Sequence, residues 1–307
     1  MARRSVLILL VCSALLLCGF MIWRYPAPSW HGQLLQLRQP AGENLDILML
    51  GDTGTGATDQ FQIAAAMESY CQSHKLSAVF LLGDNFYPKG VKDSSDPQWQ
   101  QKFLDPYGKP CLSHLPFYAV LGNHDYKGRA AAQIDYSEMQ NFWHMPHRFY
   151  SVQFGQLAKV IAIDSNILDV CGSATHCTID FLREALSDTN IPLRIVIGHH
   201  PISSSSSKYS GTLQGWVLQK LLCNQRITYI SGHSHHIEHR QVPDCSLELF
   251  IAGGGGASLY DVHAKGADTK FALSAHAFLS LQLSSKMSTF TYYDSHLQSL
   301  YSYTRKN

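Results

Sequence analysis

Five short clusters in this 307-residue chain place glycine directly before residues that can hold a metal ion. They are Gly51-Asp52-Thr53-Gly54, Gly83-Asp84-Asn85-Phe86-Tyr87, Gly122-Asn123-His124-Asp125, Gly198-His199-His200-Pro201 and Ser231-Gly232-His233-Ser234-His235. The donors are two carboxylates (Asp52, Asp84), a phenol (Tyr87), an amide (Asn123) and three imidazoles (His199, His233, His235). Oxygen donors alone would suit magnesium or calcium, and thiolates a structural zinc. Mixed imidazole and oxygen donors suit iron, manganese or zinc. Seven donors exceed one tetrahedral ion but suffice for two if a carboxylate bridges them. Paired ions about 3.5–4 Å apart are clamps for in-line displacement at phosphorus. Any one cluster alone reads as a turn; the five together do not.

Each cluster directly follows an apolar run: Asp46–Leu50, Ala78–Leu82, Phe117–Leu121, Arg194–Ile197 and Ile227–Ile230. Lys159–Ile163 and Leu247–Ile251 have the same texture. Continuous runs of this length predict strands buried on both faces. Between them, Ile63, Met67, Tyr70 and Cys71 recur at helical spacing behind Thr58-Asp59, which is positioned to cap the helix start. Residues 178–187 and 213–224 read as further helices. The class is α/β, and ligands in open α/β sheets gather at the carboxyl ends of strands, so the clusters should converge in one crevice. Gly253–Gly256 reads as a loop passing close beneath them. The run Ser203–Ser207 reads as a mobile surface loop, with Lys208 beyond it able to reach a substrate phosphate.

Lys and Arg number 24 against 23 Asp and Glu, and only 15% of residues are charged, below the usual quarter or so. No basic block exists, which argues against nucleic acid as a partner. Part of the shortfall is Ser5–Trp23, an uncharged stretch behind Arg3 and Arg4 that is long enough to span a bilayer. It lacks a small-residue cut site, so residues 1–24 read as an uncleaved signal anchor, 25–43 as a tether and 44–307 as one catalytic domain. The arginines place the N-terminus inside and the catalytic domain on the extracytoplasmic side: periplasm, lumen or cell exterior. Outside the anchor, six cysteines allow 15 pairings, and Cys171 with Cys177 suggests a local staple.

The ordered set G-D-x-G, G-D-x-x-Y, G-N-H-D, G-H-x-P and G-H-x-H resembles the calcineurin-like metallophosphoesterases. Within them the likeness is to purple acid phosphatases of the small tartrate-resistant type, across Leu45 to Ser302. The resemblance implies a four-layer sandwich of two β-sheets flanked by helices. It also implies a monomeric acid phosphatase acting on small phosphate esters or phosphoproteins, with phosphodiester or pyrophosphate hydrolysis as the alternative. Asp52, Asp84, Tyr87 and His235 would then hold Fe(III), and Asp84 would bridge to a divalent ion (iron, zinc or manganese) held also by Asn123, His199 and His233. A metal-bound hydroxide would attack phosphorus. His124 would orient the ester and protonate the leaving oxygen, with Asp125 orienting that imidazole. Two positions mark the purple branch: Gly54 stands where most metallophosphoesterases have the histidine of Asp-x-His, and Tyr87 supplies a phenolate instead. The sequence departs from the resemblance after Pro201, where an acidic residue and a further histidine are lacking, so that His124 is left to protonate the leaving group, with His200 as a second contributor.

Overall fold

The structure, a computed structural model, describes residues 35–166, 173–206, 208, 211–223, 225–262, 266 and 268–307. It contains two mixed sheets. One has seven strands in the order β15 (Ser299–Lys306), β14 (Met287–Tyr293), β13 (Phe278–Ser284), β2 (Asn44–Leu50), β3 (Ala78–Leu81), β4 (Phe117–Ala119) and β5 (Trp143–His144). The other has eight, in the order β1 (Gln36–Gln39), β6 (Tyr150–Phe154), β7 (Ala158–Ala162), β8 (Leu193–Ile197), β9 (Thr228–Ser231), β11 (Glu248–Ala252), β10 (Ile237–Gln241) and β12 (Thr269–Leu273). The strands that matter for the site are β2 (Asn44–Leu50), β3 (Ala78–Leu81) and β4 (Phe117–Ala119) in the first sheet. Their counterparts in the second are β7 (Ala158–Ala162), β8 (Leu193–Ile197), β9 (Thr228–Ser231) and β11 (Glu248–Ala252). Within each set, neighbours run parallel. All seven coincide with the apolar runs.

The continuous hydrophobicity of these runs follows from their position. Along β8, Ile195 and Ile197 face a core shared with the first sheet, whereas Val196 faces a second core beneath the helices Ser173–Ser187 and Leu213–Leu222. A strand whose alternate side chains meet two cores cannot place a polar residue on either face without burying it. On the far side, Ile63, Met67, Tyr70 and Cys71 of the helix Thr58–Ser73 pack on the seven-stranded sheet. The layers are therefore helix, sheet, sheet, helix, and aromatic contacts such as Phe80 with Phe154 cross the inter-sheet core.

Several expectations are revised. The helix starts at Thr58, yet its N-cap is Ala57 with no side-chain cap; Gln60 reaches back instead and accepts from the Gly56 amide at 2.8 Å. Residues 36–39, read as tether, form the edge strand β1, which pairs in parallel with β6 (Tyr150–Phe154). Its polar residues Gln36, Arg38 and Gln39 suit an edge facing solvent. The described part of the serine run, residues 203–206, is not a loose loop. Ser205 donates to Glu238 through its amide (2.9 Å) and hydroxyl (2.5 Å), and Glu238, with no solvent exposure, also receives Arg240 (2.9 Å) and His236 (2.8 Å). A fully buried carboxylate needs such partners, and here the loop supplies them.

Disulfides join Cys71 to Cys111 and Cys223 to Cys245. The suggested Cys171–Cys177 staple lies outside the described residues. Among the described residues no helix is long and apolar enough to cross a membrane, and Ser5–Trp23 lies outside them.

Candidate metal centre

The five clusters meet where the carboxyl ends of β2, β3 and β4 face those of β8 and β9. Backbone bonds stitch the ends together: Gly51 donates to Ala252 O across the two sheets (2.7 Å), Asp52 to Gly83 O (3.0 Å) and Gly232 to His199 O (3.0 Å). The approach is close enough to dictate residue size. A Cβ on Gly122 would lie 2.2 Å from Asp84 Oδ1, and one on Gly54 would lie 1.9 Å from Asn85 O. The second figure accounts for the glycine at position 54: in this backbone there is no room for any side chain, still less a ligating histidine. Gly253–Gly256 likewise presses on the backbone of Ser234 and Gly51, as a tight supporting loop.

Asp52, Asp84 and His233 adopt left-handed backbone angles (φ 60°, 51° and 65°). Such conformations are uncommon for residues with a Cβ and cluster where function holds a side chain in place. Asp52 and Asp84 are buried and His233 is half-buried, and all three turn donor atoms toward the other clusters.

The donor atoms fall into two groups. In the first, the Tyr87 hydroxyl lies 3.0 Å from Asp52 Oδ1, 2.9 Å from Asp84 Oδ2 and 3.1 Å from His235 Nε2. His235 Nδ1 is bonded to Ser258 O at 2.8 Å, which places its proton there and leaves Nε2 as a lone pair. One phenolic proton thus serves three acceptors. In the second group, Asn123 Oδ1 lies 3.2 Å from His199 Nε2 and 3.0 Å from His233 Nδ1, and those nitrogens are 3.3 Å apart. His199 Nδ1 gives its proton to Leu82 O (2.9 Å), so Nε2 again faces inward as an acceptor. Asp84 Oδ2 is 3.5 Å from that Nε2 and 2.9 Å from Tyr87, so its carboxylate stands between the groups.

Converging lone pairs without enough protons repel unless a cation joins them. The proton affinities express this. Burial pushes His199 down, but Asp84 beside it outweighs the effect and lifts the imidazole to about 9. A proton is attracted there in the absence of anything more positive. Burial together with Asp52 and Asp84 drives the Tyr87 phenol far above its ordinary range, so it ionises only next to a strong positive charge. Burial and the neighbouring His199 hold His233 down at about 4, neutral and able to donate its lone pair. The residues present therefore fit a pair of ions, and Asp52-Asp84-His199 by themselves bring carboxylate and imidazole donors within 4.8 Å of one another.

Donor atoms of His199, His200 and His233 also lie within 4.8 Å of one another, which makes His200 a rival ligand. Its surroundings argue otherwise. The Ser165 hydroxyl accepts from the amides of His199 (3.1 Å) and His200 (3.0 Å), which occupies both its lone pairs. Its one proton must go to His200 Nδ1 at 2.9 Å, leaving His200 Nε2–H as a donor, unfit to bind a cation. Ser165 was not singled out in the sequence, although it follows strand β7 just as the clusters follow theirs; no glycine marks it.

His124 is part-exposed beside this centre. Its Nδ1 lies 2.8 Å from Pro88 O, its ring 4.4 Å from that of Tyr87, and Lys127 Nζ is 3.2 Å from Nε2. Asp125, expected to orient this imidazole, does something else. It is fully buried and accepts from the amides of Gly122 (2.8 Å) and Asn85 (3.1 Å), locking the two loops that carry Asp84 and Asn123. The Pro88 carbonyl orients His124 in its place.

Residues 45–236, well over half the sequence, match the family described as calcineurin-like phosphoesterase. The chain belongs to that family. Membership and the relatives below support a phosphatase-type hydrolase. The chain is 28% identical to purple acid phosphatase 3 of Arabidopsis thaliana, with 88% of this chain and 80% of that protein covered. It is 28% identical to tartrate-resistant acid phosphatase type 5 of Oryctolagus cuniculus, covering 72% and 76%. Among solved structures, GAP50, the anchor in the inner membrane complex of Plasmodium, superposes with a TM-score of 0.78 at 24% identity over 86% of this chain and 89% of that one. Purple acid phosphatase PPD1 from yellow lupin seeds gives 0.67 at 16% identity over 87% and 54%. At these identities the two structures speak for the fold, and both agree with the two-sheet sandwich.

Proposed function

We propose that this calcineurin-like phosphoesterase is an acid phosphatase that hydrolyses phosphomonoesters at a two-ion centre. Asp52, Asp84, Tyr87 and His235 would hold Fe(III), and Asp84, Asn123, His199 and His233 a divalent iron, zinc or manganese ion. The observation that carries this reading is the convergence of acceptor atoms in two adjoining groups with one carboxylate between them. The oxygen-rich group with its phenol suits the harder ferric ion, and the imidazole-rich group the divalent one. When bound, the ions would supply Lewis-acid charge for the phosphoryl oxygens and an activated water nucleophile.

The chain's own residues supply orientation and protons. His124, aimed by Pro88 O, stands beside the centre to hold the ester and protonate the departing oxygen, and Lys127 adds positive charge at the same wall. His200 Nε2–H is a neutral donor available to a phosphate oxygen. Asp125 keeps the two loops in register so that none of these groups must reorganise during the reaction.

The catalytic domain would lie on the extracytoplasmic side behind an N-terminal anchor over residues 1–24, in keeping with two disulfides, which persist in oxidising compartments. Steady-state kinetics on matched substrates test the activity: kcat/KM for a phosphomonoester should exceed that for its methyl diester by about tenfold or more. A preference for the diester would replace this reading with phosphodiesterase action.

A further inference from the structure

Outward from the candidate centre three side chains stand in a row. The Tyr260 ring stacks on His235 with centroids 4.1 Å apart and 21° between planes, and Lys208 Nζ lies 4.0 Å from the centroid of the Tyr260 ring. The Tyr260 amide also donates to His235 O at 2.8 Å, so ring and backbone both hold the tyrosine to a proposed ligand. The lysine ammonium is therefore no further from His235 than one aromatic ring intervening.

The placement is built rather than incidental. Ser206 forms an antiparallel bridge with Val262, tying the loop that carries Lys208 to the loop that carries Tyr260. The Lys208 amide donates to Ser206 Oγ at 3.2 Å, and neighbouring Ser205 is fixed by the buried Glu238 and Arg240. Residues 202–211 hold no carboxylate, and Lys208 is their only charged residue. Among the described residues no carboxylate forms an ion pair with it, and its ammonium is held over a ring face that favours cations.

We infer that Lys208, positioned by Tyr260, forms an anion subsite at the rim of the centre. It would select phosphate esters and anhydrides whose leaving portion carries a second negative group beside the scissile phosphate, a diphosphate being the simplest. This rests on the two-ion reading above and adds a substrate class to it. A neutral leaving portion gains nothing from the ammonium; an anionic one gains a charge-assisted contact at a partly solvated position, worth about threefold to tenfold in affinity.

The test is calorimetric binding of two non-hydrolysable probes to the metal-loaded protein: methylenediphosphonate, with a second anion, and phenylphosphonate, with a neutral ring. The ratio of their affinities should fall about threefold to tenfold in Lys208→Met, reverse further in Lys208→Glu and be largely restored in Lys208→Arg. The ratio of kcat/KM for a nucleoside diphosphate over p-nitrophenyl phosphate should move in parallel, mostly through KM. Equal weakening of both probes, or an unchanged ratio, overturns the subsite while leaving the phosphatase reading intact. Wild-type protein that binds neither probe overturns the two-ion reading itself, and this one with it.

Discussion

Replacing Asp84 by asparagine should cost the protein both its ions and at least about 10³-fold of its activity. The carboxylate is nearly fully buried and is the group that spans the two donor sets, 2.9 Å from the Tyr87 hydroxyl and 3.5 Å from His199 Nε2. Its other oxygen accepts from the His124 amide at 2.7 Å, which fixes its orientation. Asparagine keeps the shape and tolerates the left-handed backbone at φ 51°, so the fold should survive. It removes the negative charge that serves both halves, and a neutral amide cannot bridge two cations. Metal analysis should therefore fall from about two ions per chain to one or fewer, with an unchanged circular dichroism spectrum. A variant that keeps two ions and near-normal turnover would remove Asp84 from its bridging role. His199 supplies a second readout. Asp84 is the charge that lifts this imidazole to about 9, so in metal-free protein its titration, followed by NMR, should move down in the variant.

The second large effect is expected at His124, with the opposite signature. Its imidazole contacts Pro88 O, Tyr87 and Lys127, and none of its ring atoms belongs to the two converging donor sets. His124→Ala should lower turnover by about 10²- to 10⁴-fold, the range for a positioned proton donor, while both ions stay bound. The deficit should grow with the basicity of the leaving alcohol, because a good leaving group departs without a proton. Metal loss in this variant would make His124 a ligand, and an equal deficit across leaving groups would reduce it to an orienting role. The pairing of Asp84→Asn with His124→Ala thus separates holding the ions from handling the proton.

How much of this was legible in the sequence depends on how far each residue reaches. Strands buried on both faces announce themselves as unbroken apolar runs, and Asp52, Asp84, Asn123, His199 and His233 come within a few residues of a strand end, so their convergence followed from topology alone. The edge and hairpin strands were not visible. In β1 and β15 (Ser299–Lys306) polar residues alternate with partly buried ones, a texture that loops share. Roles that depend on distant partners were also hidden. Asp125 sits beside His124 in sequence, yet its carboxylate serves the amides of Gly122 and Asn85, the latter 40 residues away. Five serines in a row suggested a loose loop, but Ser205 finds Glu238 33 residues later and a buried ion network behind it. The histidines divide in the same way. His236 and His239, buried on Glu238 and Glu248, are structural, and only their partners reveal it.

The central claim is a ferric ion bound to the Tyr87 phenolate beside a second metal, and the visible absorption spectrum of the purified protein, taken with its metal content, tests it most directly. Within the protein alone, burial and two carboxylates hold this phenol protonated far above its usual range, so a phenolate there requires a highly charged partner. The prediction is about one iron and one further metal ion per chain, with a visible charge-transfer band that disappears in Tyr87→Phe. A colourless, active protein carrying two divalent ions would contradict the account, as would a band that survives the loss of the Tyr87 hydroxyl.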